Sequence, residues 1–396
     1  MSKASRTFTN AFYKVVKTIL APYFYIVQRV RFRRNGWDIP PSPALFLSNH
    51  QTNWDGLYVN VMFFRRKIHY IVHDEMFRTK ALSFLSGKVL EEIKKSDKKS
   101  DFSAIKQTIQ FKNMGRDIGI FPEGDIDMFG RGLTVDDSIG KLAKTLNIPV
   151  VLMRISGAHL RAPRWAMRPM RSRIYYDVVD VITVDELRAM SKEETYARIM
   201  AGISYDEAAY QSTARTRVLA TRRAERLEYG LYYCPHCGSI ETLYSKGNRI
   251  YCRACGFNAI YTRLCEFTST YACCPRNTRD WDALATLALK ERIASTDGDL
   301  ILVADGISFA KARVGEFFDG YRETGKLYLY RDRLVYEGDS HLTLYYSELA
   351  RNRLQYKATL EVGTEELKYR FEKKGKPYWS AYLYSTTIDL LSKAHE

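Results

Sequence analysis

The first 37 residues contain no aspartate and no glutamate, although the chain carries 45 acidic residues in all. Lys3, Arg6, Lys14, Lys17, Arg29, Arg31, Arg33 and Arg34 therefore stand in a stretch of one sign of charge. A long apolar run is also missing there. Phe8, Phe12, Val15, Val16, Ile19, Tyr23, Ile26, Val27 and Val30 are present, but Lys14 and Lys17 interrupt them. That interruption excludes a bilayer-spanning helix. The lack of an uncharged apolar core and of a cleavage site excludes a secretory signal. Low-complexity tracts and internal repeats are absent too, so an ordinary folded protein is expected.

With 396 residues the chain has room for two or three domains. Its net charge of +16 points to nucleic acid or to an anionic membrane surface, and charge alone does not choose between them. Phe8, Phe12, Val15 and Ile19 recur at helical spacing. Residues 1–34 are therefore expected to form an amphipathic helix lying in the membrane interface, lysines on its other face.

After Gly36-Trp37-Asp38 the pattern becomes alternating strand and helix. Strands are expected at 44–48, 68–72, 118–121, 148–155 and 173–182. Helices are expected at 54–64, 77–85, 101–113 (capped by Asp101) and 137–146. Such alternation predicts a mixed α/β sheet flanked by helices, with function gathered in loops beyond strand ends. Thr183-x-x-Glu186 and Ser191-x-x-Glu194 are capping-box patterns that start further helices. The basic stretch holding Arg215, Arg217, Arg222, Arg223 and Arg226 reads as a solvated helix face.

Two short runs carry the chemistry. Ser48-Asn49-His50-Gln51-Thr52-Asn53-Trp54-Asp55 places a histidine and a carboxylate five apart, just after the apolar run 44–47. Five residues is about 140° off one helix face, so the pair can meet only where the chain bends into a helix. An Asp accepting from one imidazole nitrogen fixes the tautomer and makes the other nitrogen the better base. An amide at position 55 is expected to favour the wrong tautomer. The second run is Phe121-Pro122-Glu123-Gly124, again after an apolar strand.

His50-x4-Asp55 followed by Phe-Pro-Glu-Gly resembles the glycerolipid acyltransferase family of the lysophosphatidic-acid type, over roughly residues 35–230. The resemblance implies transfer of a fatty acyl chain from a thioester, acyl-CoA or acyl-ACP, to a lysophospholipid hydroxyl, most naturally that of 1-acylglycerol-3-phosphate. It implies His50 as base, Asp55 as its orienter and no acyl-enzyme. It assigns the acceptor's glycerol to Glu123, with Gly124 allowing close approach of backbone to ligand. The basic residue that the family carries between the two runs falls at Lys95, with Lys94 next, in place of the usual arginine. A proline-containing strand, Ile148-Pro149-Val150-Val151, leads to Arg154 and Arg164 as further substrate contacts. Asp125-Ile126-Asp127 stands where the family has a polar residue and an arginine, and two added acids are unfavourable beside a phosphate.

Cys234-Pro-His-Cys237 and Cys252-Arg-Ala-Cys255 form two CxxC knuckles flanking a short hairpin, the spacing of a zinc ribbon with four thiolates on one structural zinc. Cys265, Cys273 and Cys274 are left as reduced thiols. A helix is expected at 281–293. Strands follow at 300–303, 326–330, 334–337, 342–346, 354–362, 367–371 and 379–384, then a helix at 387–394. Antiparallel strands closed by a C-terminal helix resemble a pleckstrin-homology or GRAM-like barrel.

The expected organisation is thus a membrane-associating segment at 1–34, an acyltransferase domain at 35–230, a zinc ribbon at 231–262, a helical linker at 263–299 and a β-rich domain at 300–396. The expected setting is the cytoplasmic face of the membrane, peripheral or monotopic, on anionic lipid. Two other readings exist: a lipid-binding scaffold with an altered catalytic domain, and a zinc-ribbon nucleic-acid-binding protein. The latter leaves His50, Asp55 and Glu123 unexplained and lacks a companion nucleic-acid motif.

Overall fold

The computed structural model describes residues 3–95, 102–321, 323–375 and 379–393. The expected Asp101 cap and the side chains of Lys3, Arg6, Phe8 and Phe12 lie outside the described residues. The chain divides into two compact units, Met1–Pro163 with Arg171–Thr216, and Arg164–Met170 with Arg217–Glu396.

In the first unit α1 (Lys3–Pro22) precedes β1 (Val30–Arg33) and β2 (Leu45–Ser48). Then come α2 (Asp55–Met62), β3 (Ile68–His73), α3 (Lys80–Ser83), β4 (Ile93–Lys95), α4 (Phe102–Asn113) and β5 (Asp117–Ile120). The unit continues with α5 (Ser138–Leu146), β6 (Val150–Ser156), α6 (Ala158–Arg161), β7 (Ile174–Ile182), α7 (Val184–Ala189), α8 (Lys192–Ile203) and α9 (Glu207–Ala214). The strands form one sheet in the order β1-β7-β6-β2-β5-β3-β4. All neighbours are parallel except β6 and β7.

β2 lies at the centre, buried on both faces, which is why Leu45-Phe46-Leu47 is apolar without alternation. Leu45 and Leu47 pack with Ile139, Ala143 and Ile199 on one side, while Phe46 packs with Phe24, Val59 and Phe63 on the other. Each such side chain contributes about 1.5–3 kcal/mol through burial. The chain leaves β2, forms α2, and returns as β3 two places away, with β5 inserted between them. The carboxyl ends of β2 and β5 are therefore neighbours, and the two sequence runs meet there. Both capping boxes form, at Thr183/Glu186 and Ser191/Glu194.

The amino-terminal segment departs from expectation. Lys17 is buried rather than on a solvated face, and Val15, Ile19, Tyr23, Ile26 and Val27 are exposed. The Lys17 ammonium donates to the carbonyls of Arg66 (2.6 Å) and Phe63 (3.4 Å), just beyond the carboxyl end of α2. Partial negative charge at a helix end suits a cation there. The Tyr13 ring lies 4.8 Å from the same nitrogen, and burial pulls the ammonium pKa down to about 7. α1 is thus docked on the unit by Tyr13 and Lys17, with Leu20 and Ala21 against the core, while Val15 and Ile19 face outward. β1, unforeseen in this segment, pairs with β7.

The second unit holds a four-stranded antiparallel ribbon of β8 (Leu243–Lys246), β9 (Arg249–Cys252), β10 (Asn258–Tyr261) and β11 (Phe267–Thr268). α10 (Thr278–Ser295) follows. A second antiparallel sheet contains β12 (Leu300–Arg313), β13 (Glu323–Tyr330), β14 (Arg333–Glu337), β15 (His341–Tyr345), β16 (Arg351–Gln355), β17 (Thr359–Gly363) and β18 (Leu367–Glu372). Its order is β15-β14-β13-β12-β18-β17-β16, and α11 (Ala381–Ser392) packs on β16, β17 and the β15–β16 link. Three expectations need correction. The strand expected at 354–362 is two strands joined by a turn, with Tyr356 at φ 54°. The strand expected at 379–384 instead leads into α11, capped by the Ser380 hydroxyl. Residues 215–226 are not helical. Arg223 there is buried and donates to the carbonyls of Tyr261, Thr262 and Ala220, because a guanidinium carries enough donors to collect several loop carbonyls.

Candidate functional site

The turn after β2 explains how residues five apart touch. The Asp55 amide donates to the Thr52 carbonyl (3.1 Å), which closes a tight turn and starts α2. The Asp55 side chain then reaches back into that turn. Its Oδ2 accepts from the backbone amides of Gln51 (2.7 Å) and Thr52 (2.8 Å) and faces His50 Nδ1 at 3.0 Å. Its Oδ1 accepts from the hydroxyls of Thr52 (2.6 Å) and Tyr176 (2.8 Å). Asp55 is wholly buried, and five groups converge on its two oxygens. With amides already donating to Oδ2, the carboxylate is an acceptor for His50, so Nδ1 carries the proton. Nε2 is left with its lone pair, the arrangement of a base.

The imidazole is held from a second direction. It stacks on Phe121 (centroids 4.4 Å apart, planes at 12°), and Phe121 stacks on Tyr70 (4.8 Å, 9°). Tyr70 sits opposite Gly119 across β3 and β5. A Cβ at Gly119 would lie 2.4 Å from the Tyr70 ring, so only glycine lets the stack pass under β5. A third constraint is Asn49, fully buried, which donates to and accepts from the backbone of Ile155 in β6 (2.9 and 2.7 Å).

Glu123 reaches across from the turn after β5. One oxygen accepts from the His50 amide (3.2 Å) and the other from the Leu133 amide (3.0 Å). This carboxylate therefore ties the two loops together with its own oxygens. Burial pushes its pKa up to about 7, against the pull of those amides and His50. Because the folded-state value is raised, ionisation of Glu123 counts against folding increasingly as pH climbs from its ordinary value to about 7, and the penalty levels off above that. Glu123→Gln lacks that ionisation. Its melting temperature should rise relative to wild type between about pH 5 and about pH 8; parallel melting curves against pH would refute this assignment.

The remaining expected contacts are scattered. Gly124 adopts φ 71° and a Cβ there would meet nothing within 4 Å, so the turn rather than crowding requires glycine. Asp127 is buried, its Oδ1 accepting from the amides of Phe129 and Arg131, and so shapes the loop after Glu123. Lys94 and Lys95 are exposed at the end of β4, with Lys94 lying over Phe77. All of β2, β5, β3 and β4 run parallel, so Lys95 shares the carboxyl edge of the sheet with the two loops. It stands two strands from β5, about 10 Å at the usual spacing. Arg154 points elsewhere: its guanidinium donates to the carbonyls of Ala201 and Gly202 at the end of α8. Arg164 belongs to the second unit and donates to the carbonyls of Tyr356 and Leu354. Both were expected at the substrate, but carbonyl-rich loop and helix ends already occupy these donors.

Sequence reasoning missed Asn49, Thr52, Phe121, Tyr70 and Tyr176 as parts of this cluster. The signal for Asn49 and Thr52 was a polar run directly after a buried strand. No local signal marks Tyr70 or Tyr176, which arrive from other strands.

A second cluster lies in the ribbon. The sulfurs of Cys234, Cys237, Cys252 and Cys255 all fall within 4.8 Å of one another, and the Cys234–Cys255 and Cys237–Cys252 pairs are 3.8 Å apart. A tetrahedron with Zn–S bonds of about 2.3 Å has edges of about 3.8 Å, so the residues present fit a tetrahedral zinc. Gly238 (φ 73°) and Gly256 (φ 76°) follow the knuckles, each donating its amide to the carbonyl of the knuckle's first cysteine. The Thr242 hydroxyl lies 3.2 Å from the Cys252 sulfur and that of Ser239 lies 2.9 Å from the Cys237 sulfur, contacts that orient metal-ligating thiolates. Cys265, Cys273 and Cys274 are free thiols outside this cluster.

Residues 31–156 match the family model described as Acyltransferase. Among solved structures, the chain is similar to the 1-acyl-sn-glycerophosphate (LPA) acyltransferase PlsC from Thermotoga maritima. The two are 14% identical over 50% of this chain and 77% of that one, with a TM-score of 0.42. No curated protein matches. Both sequence runs lie inside the segment that matches the Acyltransferase model.

Proposed function

We propose that this acyltransferase-family domain moves a fatty acyl chain from a thioester to the free hydroxyl of a lysophospholipid, with 1-acylglycerol-3-phosphate as the acceptor. The observation that carries the reading is the His50–Asp55 pair, Nδ1 to Oδ2 at 3.0 Å over a fully buried carboxylate. Nε2 of His50 removes the hydroxyl proton as that oxygen attacks the thioester carbonyl. The new C–O bond forms, the C–S bond breaks, and the departing sulfur takes the proton back from His50. Asp55, held by four other donors, stabilises the imidazolium formed in between.

Glu123 acts in this scheme as a positioning residue: it fixes the His50 backbone rather than facing the acceptor with free oxygens. Lys95 and then Lys94, on the same sheet edge, are the cations for the acceptor's phosphate. Lysine serves there as a point charge, without the two-pronged geometry of arginine. The donor's carrier is coenzyme A or acyl carrier protein. The four ribbon cysteines hold one structural zinc, which supplies folding free energy and takes no part in the transfer.

Among the described residues no helix is long and apolar enough to cross a membrane. Val15 and Ile19, exposed on α1 with Lys14 in a segment free of acidic residues, support contact with an anionic bilayer surface. The deciding experiment is acyl transfer by purified protein, using a labelled thioester and a panel of lysolipids. Transfer to lysophosphatidic acid supports the proposal. No transfer to any lysolipid, from either donor, leaves the lipid-binding scaffold as the better reading.

A further inference from the structure

The β3–β4 connection mixes exposed apolar side chains with exposed cations. It runs through a tight turn at Asp74–Phe77, α3, and a wide π turn at Phe84–Val89. Met76, Phe84 and Leu85 are 37%, 49% and 40% exposed on this short stretch. Arg78, Lys80 and Lys88 are exposed among them, and no carboxylate pairs with any of the three among the described residues. An open groove of about 450 Å³ lies between Phe77, Phe84 and these cations.

Two facts place this stretch. It follows the carboxyl end of β3, so it shares the sheet edge that carries His50 and Glu123. The π turn also packs against α1, whose Ile19 is 67% exposed, and Ile26, in the turn that follows α1, is 75% exposed. Large apolar side chains seldom stand together in water without a purpose. Apolar residues mixed with unpaired cations match the chemistry of a bilayer interface, where chains accept the former and anionic headgroups the latter.

We propose that the β3–β4 connection is a second membrane-docking surface, with Met76, Phe84 and Leu85 dipping between headgroups and Arg78, Lys80 and Lys88 binding anionic headgroups. Docked this way, the His50 edge faces the interface, and a lysolipid reaches the histidine without leaving it. The acyl-transfer reading enters only through that last consequence.

The test uses the full chain and two variants, Arg78→Glu/Lys80→Glu/Lys88→Glu and Phe84→Ser/Leu85→Ser, each checked by thermal melting. Partition is measured by co-sedimentation with vesicles of phosphatidylglycerol and phosphatidylcholine, and of phosphatidylcholine alone, at low salt. Charge reversal should weaken partition onto the anionic vesicles by on the order of 100-fold and leave the neutral ones unchanged. The serine variant should weaken both. Transfer between soluble short-chain substrates should be unaltered in either protein. Vesicle partition within about twofold of wild type in both variants overturns the proposal. So does unchanged partition with a raised KM for a soluble donor, which assigns the cations to the donor's phosphates. If wild type transfers no acyl chain while the vesicle results hold, the acyl-transfer reading fails and this surface stands.

Discussion

His50→Ala is expected to transfer acyl chains slower by on the order of 10²–10⁴-fold, the usual contribution of a general base, with its melting temperature nearly unchanged. Stability should survive because the parts around the imidazole hold themselves. The residue-50 amide still donates to Glu123, and Asp55 keeps the amides of Gln51 and Thr52 and the hydroxyls of Thr52 and Tyr176. Asp55→Asn separates charge from orientation. Three nitrogen atoms face Oδ2, so the amide oxygen must turn there, and the amide nitrogen then faces two hydroxyls that can reverse and accept. His50 should therefore keep its tautomer, contrary to the sequence-based expectation, and lose only the negative charge opposite the imidazolium. A loss of about 10²-fold in kcat with little change in KM is expected from that charge. Steady-state kinetics with melting curves measures both variants. An Asp55→Asn protein that no longer folds would show that the turn needs the anion.

Cys234→Ser should abolish binding of one zinc per chain and unfold the ribbon. Structural zinc in small modules contributes on the order of 10 kcal/mol, comparable to the whole stability of a domain. Cys234 is fully buried, and its neighbour Tyr233 accepts from the Trp281 indole through its carbonyl, which links the knuckle to α10. Loss of the metal should thus lower the melting temperature of the second unit and raise the thiol count under native conditions. Residues of the His50 cluster all belong to the first unit, so the initial rate on a soluble substrate at low temperature should persist. Metal analysis with thiol titration decides it; a metal-free protein with an unchanged melting curve contradicts the assignment.

The parts legible in the sequence are those set by local pattern. Apolar runs gave the central strands β2, β5 and β6, and the His50–Asp55 spacing gave a turn into a helix. Paired CxxC knuckles gave the four-sulfur cluster. What stayed hidden depends on partners distant in the chain. Lys17 looks like a solvated residue until two carbonyls beyond α2 are placed above it. Arg154 and Arg164 look like substrate contacts until the ends of α8 and β16 supply carbonyls. Phe121 reads as an ordinary motif residue, yet it is the plate on which the imidazole rests. The buried Lys17 and Phe24 also mean that removing the first 30 residues strips core contacts, so truncation is a poor test of membrane binding.

The central claim is that Nε2 of His50 is the base for acyl transfer to a lysophospholipid. Its most direct test is the rate at which purified protein moves a labelled acyl chain from a thioester to lysophosphatidic acid, compared with the His50→Ala protein. The account predicts robust transfer by wild type and a loss of on the order of 10²-fold or more in a variant that melts at the same temperature. Equal rates in the two proteins would contradict it.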